Sequence, residues 1–169
     1  KDFFKENNFQ YNESTICEKL VTEQIAKKLK LQNIQSIGGR GKPDFTADGI
    51  RWGEIKKRKF GGKELTLDNW PAHSIDTSKP KDIKKWDKWD LLGLAVHKQY
   101  FPNQILGTCI LNKDQIKILA PIMQKKMEEQ NAKVLKENKG SNEVLINMKE
   151  LLKLIPKHEL TWIWPNEGI

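Results

Sequence analysis

The amino-acid sequence predicts a mixed α/β domain in which a central β-sheet is flanked by helices. Three observations favour this class: an amphipathic helical segment near the start, an Asp-Gly hairpin signal after it, and two apolar runs followed by a long helix-forming stretch. A chain of 169 residues can bury a core of its own without a structural metal or a disulfide. We therefore expect a single domain over residues 1–169.

The first predicted element is a helix over residues 14–30, where apolar residues recur at helical spacing. Thr15 is followed three residues later by Glu18, which matches a capping box. The regular turns should therefore begin close to Thr15.

The glycine-rich segment 38–42 (GGRGK) ends this helical pattern and leads into a predicted β-hairpin over residues 44–60, with Asp48-Gly49 as its turn. Residues 61–80 mix Gly, Pro, Asn, Asp and Ser without periodicity, which predicts a long surface loop. Because loops of this length are usually functional or mobile, this loop is a candidate for contacting a partner.

The middle of the chain predicts the core of the sheet. Residues 82–89 fit a short helix, and the apolar runs 91–98 and 104–112 fit two core strands. We expect a tight turn at residues 100–103 to join these two strands.

The last third of the chain mixes helical and strand patterns. Residues 113–137 predict a helix in which Pro121 should force a break or a new start. A short strand at 144–147, a helical stretch at 149–154 and a final strand or packing segment at 161–165 complete the expected elements.

The charge balance points to a polyanionic partner. The chain carries 30 Lys and Arg residues against 22 Asp and Glu residues, for a net charge of +8 and a pI of about 9.4. Nucleic acid is the first candidate, because Lys and Arg side chains release condensed counterions from phosphates. No apolar run approaches the roughly 18 residues of a membrane span, so we expect no membrane partner.

The two cysteines predict neither a disulfide nor a zinc site. Cys17 and Cys109 are far apart in the sequence, each within an apolar run, and no Cys or His spacing matches a zinc motif. A reducing, cytoplasmic location is therefore expected, and the polar start of the sequence does not match a signal peptide.

The residues that predict chemistry are Asp44, Glu54 and Lys56. On a strand, Glu54 and Lys56 point to the same face because side chains alternate with period two. A hairpin can bring Asp44 beside Glu54, and two converging carboxylates make a site for a hard divalent cation such as Mg²⁺. The cation would polarise a scissile phosphate, and Lys56 would orient a water or offset negative charge. This combination predicts phosphodiester hydrolysis.

The length of the hairpin loop decides whether this site can form. A strict two-residue loop at Asp48-Gly49 would place Asp44 opposite Gly53 and turn Glu54 to the other face. We therefore predict a three-residue loop, Ala47-Asp48-Gly49, or an equivalent bulge, with Gly49 in the left-handed conformation and Asp44 paired with Trp52.

The segment Pro43-Asp44, nine intervening residues, and Glu54-Ile55-Lys56 resembles the motif of the PD-(D/E)xK nuclease superfamily. This superfamily includes many type II restriction endonucleases and the archaeal Holliday-junction resolvases. The resemblance covers residues 14–60. It implies a restriction-endonuclease-like central mixed sheet flanked by helices, with magnesium-dependent cleavage of DNA as its activity.

The resemblance extends to an acidic residue on the first helix. Resolvase-like members carry a metal-binding glutamate near the start of that helix, and Glu18 stands in the corresponding place. Glu18 is also explained by its capping box with Thr15, and Glu13 is a rival because it falls at the edge of the apolar face of the same helix. Either carboxylate could reach the site.

Basic residues near the motif are candidates for contacts with DNA phosphates. These are Arg40 and Lys42 in the glycine-rich segment, Arg58 on the strand face of Lys56, and Lys63 in the long loop. The glycines permit a close approach of the backbone to a phosphate. Solvated surface charge is the alternative interpretation of each.

The sequence thus predicts a magnesium-dependent endonuclease that cuts double-stranded DNA, most simply as a two-fold symmetric homodimer, with type II restriction as the leading role. The alternatives are a structure-selective nuclease for junctions or repair, and a basic DNA-binding module without catalytic activity. Candidate recognition elements are the 61–80 loop and the C-terminal region.

Overall fold

The computed structural model describes residues 13–39, 41–76, 85–137 and 143–165. These segments form a six-stranded mixed sheet flanked by helices and a separate two-stranded sheet. The predicted mixed α/β class with a central sheet is therefore confirmed. In chain order, the elements are α1 (Glu13–Leu29), β1 (Gln35–Ser36), β2 (Phe45–Ala47), β3 (Arg51–Phe60), β4 (His73–Asp76), a 3₁₀ turn (Lys85–Lys88), β5 (Leu91–Lys98), β6 (Phe101–Asn112), α2 (Lys113–Glu137), β7 (Glu143–Ile146), α3 (Met148–Leu154), a second 3₁₀ turn (Lys157–Glu159) and β8 (Thr161–Ile163).

The six-stranded sheet has the order β1-β2-β3-β5-β6-β8, and β4 pairs with β7 in the small sheet. Strands β3 and β5 are parallel, while the other neighbouring pairs are antiparallel. Strand β5 is the most buried, with every residue from Leu91 to His97 inside, because both of its faces are covered. The hairpin β2-β3 therefore lies directly against the core strand of the sheet.

Two apolar cores lie on the two faces of the large sheet. On one face, α1 packs Val21 and Ile25 against Ile55 of β3. Gly93 makes this close approach possible, since a Cβ atom there would lie 2.8 Å from Cδ1 of Ile25. The opposite face packs against α2, which contributes residues such as Met123. Consecutive residues of β3 consequently point to different cores.

The predicted long loop at residues 61–80 contains a strand that the sequence did not reveal. Strand β4 begins at His73 and pairs antiparallel with β7, so that His73 lies opposite Ile146. This pairing joins segments about 70 residues apart and only four residues long, and such a partner cannot be read from local periodicity. Residues 77–84 lie outside the described part of the chain.

The expected break at Pro121 was wrong, because α2 runs without interruption from Lys113 to Glu137. Proline lacks the N–H group that would bond to the carbonyl of residue 117, and its ring crowds that turn. The flanking side chains of Leu119 and Met123 are fully buried in one core, so tertiary packing outweighs the local cost.

Other boundaries also differ from the prediction, most clearly those of α1 and β6. Helix α1 already includes Glu13, so Thr15 lies in its first turn rather than at its cap. The turn between β5 and β6 occupies Gln99 and Tyr100, and β6 begins at Phe101 rather than after residue 103. Among the described residues, none of the helices is long and apolar enough to cross a membrane.

Candidate functional site

The β2-β3 turn determines which side chains meet. Asp48 and Gly49 have φ angles of 55° and 78°, and the amide of Ile50 donates to the carbonyl of Ala47 at 3.2 Å. Two successive left-handed residues closed by this bond form a type I′ turn. Ile50 is an additional, bulged residue, because the ladder then pairs Ala47 with Arg51. The connection thus has three residues, as predicted, although they are residues 48–50 rather than 47–49.

The bulge at Ile50 preserves the shared face that the sequence analysis required. The ladder pairs Phe45 with Gly53, and this register places Asp44 opposite Glu54. We expected Asp44 to lie opposite Trp52. The observed register therefore differs from the predicted register by two residues. Since side chains alternate with period two, this difference leaves Asp44 on the same face of the hairpin as Glu54.

Asp44 is held at the start of the hairpin by hydrogen bonds to two backbone groups of β3. Its amide donates to the carbonyl of Gly53 at 3.0 Å, and its Oδ2 accepts the amide of Ile55 at 2.7 Å. The pKa of Asp44 is raised from 3.8 to about 6, first by burial and then by the neighbouring Glu54 carboxylate. The Ile55 hydrogen bond and the charge of Lys56 act in the opposite direction, but they do not outweigh burial and Glu54. Two acids are therefore held close together at an energetic cost.

Glu54 and Lys56 form the other part of the site. Their side chains are 15% and 20% exposed, and Lys56 Nζ lies 3.4 Å from Glu54 Oε2. The indole Nε1 of Trp52 donates to Glu54 Oε1 at 3.2 Å. Lys56 Nζ also lies 5.5 Å from the centroid of the Trp89 ring, within the range of a cation-π contact. Both charged groups thus have defined positions.

The structure places Glu18 differently from the other predicted ligands. Its Oε1 lies 2.6 Å from Nζ of Lys57, which points to the α1 side of the sheet, opposite to Glu54 and Lys56. Glu18 still raises the pKa of Asp44, although by less than Glu54 does. Its rival Glu13 begins α1, but the side chain of Glu13 lies outside the described part of the structure.

Asp44 and Glu54 are the two carboxylates that the hairpin offers to a hard cation. Within the described segments, no group of three or more His, Cys, Asp or Glu side chains is positioned to hold one metal ion. The acids that the hairpin brings together are Asp44 and Glu54. The pKa of Asp44 is raised first by burial and then by the negative charge of Glu54, and a bound cation would offset the second effect. Carboxylate oxygens are the ligands that Mg²⁺ prefers in proteins. A role of Glu18 as a third ligand stays a prediction.

A cleft of about 540 Å³ approaches Asp44 from the side of α1. Glu18 and Thr22 of α1 line one wall, while Gly38 and Gly39 of the glycine-rich segment line the other. Both glycines have positive φ angles, which a residue with a side chain would adopt only under strain. The cleft gives a ligand access to Asp44 from the α1 side, whereas Glu54 and Lys56 do not line it.

The structure describes three of the four residues that we predicted to contact DNA. Lys42, Arg58 and Lys63 are exposed, as a phosphate contact would require. Arg40 lies outside the described residues. Exposure alone is equally expected of solvated surface charge, so these assignments stay predictions.

Four residues that contact the site were not assigned to it from the sequence: Trp52, Lys57, Trp89 and Asp90. Trp52 could have been found, because it shares the period-two face of Glu54. The role of Asp90 could not, since its Oδ2 accepts the amide of Trp52 at 2.7 Å across 38 residues of sequence. That bond depends on the parallel pairing of β3 with β5.

Comparison with known proteins identifies no family for this chain. No protein-family model matches it, and no curated protein is significantly similar to it. The chemistry of the site must therefore be inferred from Asp44, Glu54 and Lys56 and from the groups around them.

Proposed function

We propose that the protein is a magnesium-dependent endonuclease of the restriction-endonuclease-like fold that hydrolyses phosphodiester bonds in double-stranded DNA. The observation that carries the proposal is the convergence of Asp44, Glu54 and Lys56 on one face of the β2-β3 hairpin. The net charge of +8 supports a polyanionic substrate. A duplex-cutting enzyme with one site per chain would act most simply as a homodimer.

Each residue has a distinct role in this proposal. Asp44 and Glu54 would hold Mg²⁺, which supplies Lewis-acid polarisation of the scissile phosphate. Lys56 is an ammonium group beside the same carboxylates, and it would orient the attacking water or offset charge on the phosphoryl oxygens. Because the pKa of Asp44 in the metal-free protein is raised to about 6, protons compete with Mg²⁺ for this carboxylate below that pH, and cleavage at limiting Mg²⁺ should increase as the pH rises through 6.

Nicking of supercoiled plasmid in the presence of Mg²⁺ tests the proposal. Asp44→Asn, Glu54→Gln and Lys56→Met should each lower the rate by roughly 100-fold or more, since several kcal/mol of transition-state stabilisation are lost at about 1.4 kcal/mol per factor of ten. Glu129→Gln, an exposed acid on α2 outside the candidate recognition elements, is the matched control and should cleave at the wild-type rate.

The products also separate the alternatives. Discrete bands from a linear DNA of known sequence would support a type II restriction role, and preference for a branched substrate would instead identify a junction or repair nuclease. DNA binding without cleavage, across many sequences and with Mg²⁺ present, would refute the enzymatic proposal in favour of a binding module.

A further inference from the structure

The two oxygens of Glu54 have different partners. Oε1 accepts a hydrogen bond from the neutral indole of Trp52 at 3.2 Å, and Oε2 lies 3.4 Å from the ammonium of Lys56. Alternation along β3 puts these three residues on one face. The Glu54 side chain is only 15% exposed, so solvent does not replace these contacts. One carboxylate is thus held at both ends, once by a neutral group and once by a charged group.

The indole of Trp52 is itself fixed in place. The backbone amide of Trp52 donates to Oδ2 of Asp90 at 2.7 Å, and its carbonyl accepts the amide of Asp90 at 2.8 Å. Its ring packs against the core on the α2 side of the sheet. The donor therefore stands in a defined position before any ligand arrives, which is the condition for orienting a neighbouring group.

A divalent cation beside Glu54 would affect the two partners in opposite ways. The ammonium of Lys56 carries the same sign of charge as the cation and is repelled by it. The indole of Trp52 is neutral, so its hydrogen bond to Oε1 can persist. Lys56 also has an uncharged partner in the ring of Trp89, 5.5 Å away, which can stabilise the ammonium when it leaves Glu54.

We propose that Trp52 is a positioning residue for Glu54: its indole N–H retains one carboxylate oxygen and thereby presents the other to a divalent cation, while the ring of Trp89 holds the displaced ammonium of Lys56. This inference rests on the proposed function, because it assigns a role around the same metal site. It assigns two aromatic residues roles that require no contact with the cation or the DNA. Hydrogen bonds that orient a metal ligand typically change metal affinity by about 10- to 100-fold.

The hydrogen bond can be tested without any metal by NMR. The chain has six tryptophans, and the indole N–H signal missing in Trp52→Phe identifies Trp52. In the wild type this signal should be shifted downfield, and Glu54→Ala should move it upfield. On addition of Mg²⁺ the signal should stay downfield. A Trp52 signal that does not respond to Glu54→Ala would overturn the proposal.

Calorimetric titration with Mn²⁺, in the absence of DNA, tests the effect on affinity. Trp52→Phe keeps an aromatic ring and removes the donor, so it should weaken Mn²⁺ binding by about tenfold. Lys56→Met should bind at least as tightly as the wild type, because a like charge has been removed. The matched control is Trp162→Phe. Trp162 lies on β8, three positions away from β3 in the sheet, and its indole donates a hydrogen bond to the carbonyl of Lys157 that the variant loses.

The outcomes separate this inference from the proposed function. A wild type that binds Mn²⁺ and cleaves DNA, with Trp52→Phe binding within twofold of it, overturns the role of Trp52 alone. A wild type that neither binds Mn²⁺ nor cleaves overturns both proposals. If Trp52→Phe does not fold, the response of the Trp52 signal in Glu54→Ala and in Mg²⁺ still decides, with that signal then identified by sequential assignment.

Discussion

Replacing Asp44 by Asn should stabilise the metal-free protein at neutral pH. The folded protein raises the pKa of this carboxyl from 3.8 to about 6, mainly through burial and the neighbouring Glu54. The difference of about two pKa units, at about 1.4 kcal/mol per unit, amounts to about 3 kcal/mol of destabilisation when Asp44 is ionised. Since Asp44 retains partial solvent access, we expect about 1 to 3 kcal/mol.

The sign of this effect follows from proton binding. Between pH 3.8 and about 6, the folded state holds a proton on Asp44 that the unfolded chain has released. The contribution of Asp44 to stability therefore falls as the pH rises through this range. Asn cannot ionise, and its side-chain oxygen can still accept the Ile55 amide, so the variant escapes this loss. The advantage of Asp44→Asn should be near zero at pH 4 and greatest above pH 6.

Urea denaturation in EDTA, measured from pH 4 to pH 8, provides the assay. In a thermal melt at pH 8, the expected gain in the free energy of unfolding would raise the melting temperature by roughly 2 to 12 °C, at about 2 to 4 °C per kcal/mol for a chain of this size. His73 titrates in the same range, because burial lowers its pKa to about 4, and its contribution destabilises the fold as the pH falls. This term is common to both proteins and cancels in the difference.

Two results would refute this reasoning. One is an Asp44→Asn variant that is less stable than the wild type at pH 8, and the other is a difference that does not depend on pH. The exposed Asp68→Asn serves as the control for the substitution itself. Mg²⁺ provides a further comparison. If the proposed site binds the ion, Mg²⁺ should stabilise the wild type and not Asp44→Asn, which reduces the difference in stability between the two proteins.

Three further perturbations test the geometry of the fold and site. Gly53→Ala should cost about 1 to 3 kcal/mol in urea denaturation, because the new Cβ would lie 2.2 Å from ring atoms of Phe45. Glu18→Gln and Lys57→Met should lower stability by a similar, small amount of about 0.5 to 1 kcal/mol and should reduce plasmid nicking less than Asp44→Asn does, since both remove the same partly exposed ion pair. Pro121→Ala should raise the melting temperature, because it restores an N–H group in an exposed turn of α2, where proline costs up to about 3 kcal/mol.

Matched variants check these expectations. Gly61→Ala would meet only the flexible end of the Gln99 side chain, so it should be tolerated better than Gly53→Ala, and equal losses would contradict the clash argument. Loss of Mn²⁺ binding in Glu18→Gln, to the extent seen in Asp44→Asn, would support the predicted role of Glu18 as a metal ligand. A melting temperature unchanged or lowered by Pro121→Ala would mean that the helix is already adapted to proline.

Local patterns were sufficient for much of the fold. The apolar run 91–98 coincides with the bounds of β5, and the helical periodicity after residue 13 corresponds to α1. The Asp-Gly signal located the hairpin turn. These elements are determined by residues close in sequence, through side-chain periodicity and the backbone preferences of Asp and Gly. The same local rule predicted that Glu54 and Lys56 share a face.

The sequence by itself therefore determined which residues carry the candidate chemistry and placed them on one hairpin. Only the tertiary structure decided their surroundings. Glu18 forms an ion pair with Lys57 on the α1 side of the sheet, and the backbone amide of Trp52 donates a hydrogen bond to Asp90. These contacts join residues 38 or 39 positions apart and require the parallel pairing of β3 with β5 and the packing of α1 on the sheet. Periodicity carries no information about such distant partners, because they are chosen by the packing of whole elements and not by neighbouring residues.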